Sequence, residues 1–252
     1  MALYTVTETA HLTHSHALDG ADWVGYAVCH RITERSFLIN GRQFPLCARC
    51  TGMYLGVALV FIVTFLTGRL RWSDLPRLPI LLTLVGFIGL MGIDGANSYS
   101  HFFPNAPHLY EPRNWLRLLT GMGTGLAMGI LVLPALAQTL WRQPVWRPLV
   151  GSWRELAAMV ALAGTAVLIL LSNQSTVLYV LALVSAAGLL LVLTAINAVF
   201  LLILLKRDGR ATRWRETAVP LLISLTLAVI EISAVSITRY NLTGTMTGFP
   251  GL

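Results

Sequence analysis

Three cysteines carry the most explicit chemistry in this chain. Cys29 stands alone, and Cys47-Ala48-Arg49-Cys50 follows at the edge of the first long apolar run. If Pro45 opens the helix there, Cys47 and Cys50 fall three apart on one helical face and both sulfurs reach one ion. A Cys-x-x-Cys pair with a remote third cysteine is a zinc-ligand set, with thiolates at ~2.3 Å and a fourth position for histidine or water. His30 is the leading fourth ligand. Adjacent residues usually point apart, so His101, His108 and water stay open as alternatives. The predicted metal set is therefore Cys29, His30, Cys47 and Cys50, with zinc as the expected cofactor. All six histidines lie in the first 110 residues, and the second half of the chain has neither Cys nor His. Ordinary buried thiols would scatter among the apolar runs, so this clustering favours a metal site. The rival reading is a thiol oxidoreductase, because a helix N-terminus and Arg49 both lower a thiol pKa. Against it, the second cysteine pair usual in membrane thiol oxidases is missing.

A second group of polar residues stands at predicted membrane depth. Asp94 and Asn97 close the second apolar run, while Asn114, Arg117 and Thr120 repeat at three-residue spacing on one face entering the third. Ionisable groups inside a membrane are costly, so they are functional candidates, and Asp94 and Arg117 are expected partners. Glu231 stands alone in the last apolar run, ~10 Å below the same interface, and is expected to converge with them. Asn197 is expected toward the opposite leaflet. Arginine's planar fork suits phosphate and carboxylate, so Arg31, Arg35 and Arg49, with Asn97 and Asn114, are predicted to bind an anionic substrate. Asp94, Arg117 and Glu231 are the predicted catalytic set, with a carboxylate as general base or acid. The segment His11-Leu12-Thr13-His14-Ser15-His16 reads as a solvated tail.

The composition dictates what holds these residues. The chain has 252 residues, 56 % hydrophobic and only 12 % charged, with mean hydropathy +0.70. That excludes an ordinary soluble globular enzyme and a disordered chain. Runs of about 18 or more apolar residues predict six spans: Thr51 to Gly68, Leu75 to Ile93, Leu116 to Leu140, Trp153 to Leu171, Thr176 to Leu205 and Thr217 to Thr238. The fold class is thus an all-α polytopic membrane protein. Residues 1–50 form an extramembrane Cys/His segment, and residues 51–252 form the six-helix domain. Pro134 should kink or end the third span. Trp72, Trp115, Trp141, Trp146, Trp153 and Trp214 fall near span ends and read as headgroup-level anchors. Gly52-x-x-x-Gly56 and Gly121-x-x-x-Gly125-x-x-x-Gly129 mark grooves for close helix packing.

The net charge is +7, and seventeen of the eighteen cations are Arg. They gather in short connections and form no basic stripe with interleaved aromatics, so lipid headgroups, not nucleic acid, are the expected partners. Six spans put both termini on one face. That face carries seven cations and the other eleven, so the positive-inside rule predicts a multi-pass protein of the cell membrane with both termini extracytoplasmic. The N-terminus lacks a basic region followed by an apolar core, so no cleavable signal peptide is expected. A homo-oligomer or a partner in a membrane complex is left open.

The chain resembles the domain-of-unknown-function family 2085 of predicted membrane proteins. The resemblance rests on Cys29-His30-Arg31, Arg35-Ser36-Phe37, and Phe44-Pro45-Leu46-Cys47-Ala48-Arg49-Cys50-Thr51-Gly52 with Tyr54 and Gly56. It continues in Asp94-Gly95, Asn114, Leu116-Arg117 and Thr120-Gly121, with Asn97 where the pattern has Gln, and covers roughly Cys29 to Gly125. The family name implies a membrane protein and supplies no activity. The residues themselves predict a zinc-dependent hydrolase or transferase acting on an anionic or phosphorylated lipid at the membrane interface. The alternatives are a non-catalytic subunit with a structural zinc, the thiol oxidoreductase, and a small transporter using the Asp94, Arg117 and Glu231 relay.

Overall fold

The computed structural model describes residues 15–103, 107 and 109–246. His11, His14 and His108 therefore lie outside the described residues. Hydrocarbon offers no partner to an open N–H or C=O, so each long apolar run must close its bonds internally as a helix. Among the described residues, a short helix, α1 (His16–Val28), precedes six helices long and apolar enough to cross a membrane. They are α2 (Ala48–Leu66), α3 (Leu78–Ser100), α4 (Asn114–Leu140), α5 (Trp153–Leu171), α6 (Ser175–Leu204) and α7 (Trp214–Thr243). Each matches a predicted span. The largest differences lie at α3, which runs seven residues past Ile93, and α7, which extends to Thr243. Pro134 does not end its helix, which continues to Leu140.

The bundle is built on α2 against α4. Leu118, Met122, Leu126 and Ile130 recur every four residues, are fully buried, and form the central column of α4. The glycine grooves work as predicted, by close approach. A Cβ on Gly56 would sit 2.6 Å from the Met122 carbonyl, and one on Gly125 would collide with the Met53 carbonyl. Gly125→Ala is therefore expected to force the two backbones apart and to cost about 1–3 kcal/mol, read as a lower thermal midpoint in detergent. Gly89→Ala, on the open face of α3 where nothing lies within 4 Å, should leave the midpoint unchanged or raised. Equal behaviour of the two variants would remove this account of the seam.

Before the first span the chain folds over one end of the bundle. Ser15 caps α1, its Oγ accepting the Leu18 amide at 3.3 Å. A hairpin follows, β1 (Ser36–Ile39) antiparallel to β2 (Arg42–Cys47). Its two-residue turn is Asn40-Gly41, both at positive φ (48° and 87°), the conformation that suits the strand twist. Pro45 lies within β2, not at the helix start, and Cys47 is the residue that caps α2. At the other end of the bundle, β3 (Trp72–Asp74) pairs in parallel with β4 (Val145–Pro148) and ties the two connections together. Trp141 is not a headgroup-level anchor: it is 2 % exposed and packs edge-on against Trp214, with ring centroids 4.5 Å apart.

Candidate metal and arginine site

Hairpin geometry brings the cysteines together. Cys29 follows α1, and β2 delivers Cys47 beside it, so that the Cys47 amide donates to the Cys29 sulfur at 3.2 Å. The donor atoms of Cys29, His30 and Cys47 lie within 4.8 Å of one another, a group that could hold a metal ion. Cys50, one turn into α2, hydrogen-bonds both other thiols. The three cysteines are free, and Cys29 and Cys47 are buried. Hydrogen bonds from Cys29 and Cys50 hold the Cys47 thiol well below its ordinary range, while Cys29, bonded to Cys47 and buried, is pushed up to about 12. One thiolate is thus already favoured where a cation would sit. Burial lowers the His30 pKa, opposed by Cys47 and reinforced by Arg35, Arg49 and Arg117, so the imidazole is held neutral and available as a ligand. A soft sulfur set with one imidazole fits zinc.

Arg239, near the end of α7, clamps this turn from the far side of the chain. Its guanidinium donates to the carbonyls of Tyr26 at 2.6 Å, Cys29 at 2.5 Å and His30 at 3.3 Å, and lies over the Tyr26 ring. Tyr26 in turn donates to the Thr245 carbonyl at 2.7 Å. This role was not read from the sequence, since a lone arginine near a span end looks like an interfacial cation.

Beside the cysteines, three arginines meet on one serine. Ser98, 1 % exposed, accepts from Arg49 at 3.1 Å and Arg117 at 3.4 Å through its hydroxyl, and from Arg35 at 3.2 Å through its carbonyl. Asp94, also 1 % exposed, pairs directly with Arg49 and accepts from the Tyr110 hydroxyl at 2.9 Å. The expected Asp94 to Arg117 pair is therefore replaced by Arg49: α2 and α3 both pack on α4, and the long Arg49 side chain reaches across from the α2 start to Asp94. Arg117 reaches the network through Ser98, and its Nη1 donates to Asn114 at 2.9 Å. Arg35 also lies 4.0 Å over the Phe102 ring. Burial and repulsion from Arg49 lower the Arg35 pKa, in accord with cations crowded together. Ser98 and Tyr110 were missed because the predicted span ended at Ile93 and Ser98 carries no charge to flag it.

The remaining predicted residues go elsewhere. Arg31, 5 % exposed, turns back at φ 50° to pair with Asp22 at 2.9 Å, and Arg42 pairs with the same carboxylate at 2.7 Å. It locks α1 to the hairpin and stands apart from the Ser98 network. Asn97 pins the 101–113 connection, donating to the Tyr110 carbonyl at 2.8 Å and accepting the Leu109 amide at 2.6 Å. Asn114 donates to the Glu34 carbonyl at 3.1 Å and holds the N-terminal segment to α4. His101 contacts the Tyr110 carbonyl at 3.2 Å. Glu231 does not converge on Asp94 and Arg117. It is exposed on the bundle surface and accepts from Asn197 at 3.0 Å, so Asn197 serves as an amide that ties α6 to α7.

Comparison with known proteins leads to the same region. The family profile described as Predicted membrane protein (DUF2085) matches residues 29–131, a stretch that holds the cysteines, His30 and the whole arginine network. An uncharacterized protein of Methanothermobacter thermautotrophicus is 35 % identical over 104 residues, 41 % of this chain and 83 % of the relative. A second uncharacterized protein, of Methanocaldococcus jannaschii, is 28 % identical over 117 residues, 46 % of this chain and 68 % of the relative. No solved structure matches the chain. With a family profile matched across its metal-type motif and a relative aligned over most of its length, the chain belongs to the DUF2085 family of predicted membrane proteins.

Proposed function

We propose that this membrane protein holds a zinc ion at Cys29, His30, Cys47 and Cys50, and binds the anionic headgroup of a phosphorylated lipid at the adjacent arginines. One observation carries the reading: Arg35, Arg49 and Arg117 converge on buried Ser98 with a single paired carboxylate, Asp94, among them. Glu34 and Cys47 also act on these cations, but Asp94 is the one carboxylate paired with an arginine of the cluster, and an anion seated between the guanidiniums relieves their mutual repulsion. Each guanidinium has five N–H donors, more than its bonds to Ser98, Asp94 and Asn114 use. The cluster stands where the chain ends of α3 and α4 meet the extramembrane hairpin, the level of a headgroup. With four protein donors the ion is closed to substrate, and its role is to staple the Cys29-His30 turn and β2 to α2.

Hydrolysis or group transfer on that lipid is the second reading. It is favoured by Cys50 standing outside the tightest donor group. A zinc held by three protein ligands would supply a Lewis-acidic position facing substrate oxygen. Arg35 and Arg117 would then orient the phosphate. Asp94, bonded to Arg49 and Tyr110, would steady those cations.

The test is retention of phosphatidic acid by the protein in phosphatidylcholine nanodiscs. Arg35→Gln, at the half-buried rim, is expected to lower retention roughly tenfold, the loss of one charge-assisted contact. Unchanged retention in this variant and in Arg117→Gln sinks the anion site.

A further inference from the structure

At the end of the bundle opposite the cysteines, an apolar cavity of 710 Å³ opens between α4, α6 and α7. That volume falls within the ~300–1,000 Å³ of small-molecule sites. Its shape follows from its walls. On α7 it runs from Trp214 to Leu225, which at the helical rise is about 16 Å along the membrane normal. It starts at the span end and stops near mid-membrane, and the exposed Leu191, Leu222 and Leu225 on its rim open it toward lipid. A long narrow apolar slot of this depth suits a hydrocarbon chain entering from the interface.

The polar end of the slot supplies the second observation. The Arg71 guanidinium lies 3.9 Å over the Trp141 ring and 5.6 Å over Trp214, the two indoles that wall the slot at the interface. Its Nη2 donates to the Thr212 carbonyl at 3.2 Å, while its Nε is buried without a hydrogen-bond partner. A second cavity of 240 Å³, lined by Arg71, Arg142, Gln143 and Thr212, shares Trp141 with the slot. Neither Arg71 nor Arg142 forms an ion pair among the described residues. Chain-length apolar space thus adjoins a donor-rich recess with unopposed positive charge and an orphaned N–H.

We propose that this is a second lipid site, distinct from the Ser98 cluster, which takes an anionic phospholipid with one acyl chain in the slot and its phosphate at Arg71 and Arg142. The buried Trp141 ring and the exposed Trp214 ring form the step between the two, each an apolar body with one polar N–H. The phosphate neutralises two cations on a face that carries eleven. The site rests on α4, α6, α7 and the 67–77 and 141–152 connections, with Arg71 inside the family-matched stretch and Trp141, Arg142 and Trp214 beyond it.

Trp214 makes the site readable. The probe is phosphatidylglycerol brominated along its chain, titrated into the full protein, with the signal taken as the quenching lost in Trp214→Phe. Brominated phosphatidylglycerol is expected to quench at roughly tenfold lower concentration than brominated phosphatidylcholine. Arg71→Gln, and Arg142→Gln on the exposed rim, should erase that preference, and Ala218→Phe, which fills the slot, should abolish quenching. Arg35→Gln should leave this signal unchanged while lowering phosphatidic acid retention, which separates the two sites. Equal quenching by both lipids in the native protein overturns the proposal. So does wild-type behaviour of both arginine variants. Relief of quenching by inorganic phosphate alone, with no lipid preference, would assign Arg71 to a free anion and overturn it as well.

Discussion

Replacing Cys47 by serine is expected to bring zinc content from about one ion per chain to near zero, measured by elemental analysis of protein purified without chelator. Cys47 is central by position. Its amide meets the Cys29 sulfur, and its own thiol is hydrogen-bonded by Cys29 and Cys50. Serine keeps the size and loses the thiolate, so a donor with little affinity for zinc is left in a buried pocket. The proposed ion would add to the Arg239 clamp and the Asp22 pairs in tying the Cys29-His30 turn to β2 and α2, so its loss should also make residues 15–47 more open to protease while the spans stay folded. Chelation of the native protein should reproduce both effects. Cys50→Ser separates the two readings of the metal. Loss of zinc in that variant marks a closed four-ligand site, and retention marks three ligands with a position open to substrate. Native protein that carries no zinc would sink the metal and leave the thiol oxidoreductase as the reading of these cysteines.

Arg49→Gln is expected to destabilise the protein by about 3–5 kcal/mol, because it leaves the Asp94 carboxylate buried without its ion-pair partner. Asp94 is 1 % exposed and the pair is its direct contact to a cation. The Tyr110 hydroxyl at 2.9 Å remains, and one neutral donor does not replace a guanidinium. The double variant Arg49→Gln with Asp94→Asn removes the charge along with its partner and should recover most of the loss. Thermal unfolding in detergent reads both. If the double variant is no better than the single one, the cost lies in the packing of Arg49 and not in an orphaned charge.

The candidate site was partly legible for reasons that differ residue by residue. Clustering in one short stretch was enough to pick out Cys29, His30 and Cys47, the group whose donor atoms the fold brings together. Their arrangement needed the hairpin. The signal for it was present in Asn40-Gly41 between Phe37-Leu38-Ile39 and Phe44-Pro45-Leu46. Reading Pro45 as a helix opener hid the strand, since proline also suits the edge of a two-stranded sheet. Arg31 shows the limit of composition: its planar fork matches phosphate and Asp22 equally well, and the chain supplies Asp22 at 2.9 Å.

Hydropathy by itself determined the six spans, their order and the face shared by the cysteines, the 101–113 connection and the C-terminus, because an apolar run in hydrocarbon has no alternative to a closed helix. It also marked the α2 and α4 seam through glycine spacing, which acts locally along one helix face. Rotation about the helix axis was decided only by tertiary packing. In α7 the residues are apolar all round, so no stripe separates an inward face from an outward one, and Glu231 turned out to face outward beside Asn197. The partner of Asp94 was decided in the same way. Predicted membrane depth favoured Arg117, but α2 and α3 both pack on α4, and this lets the Arg49 side chain reach Asp94 and draws Arg35, Arg49 and Arg117 onto Ser98.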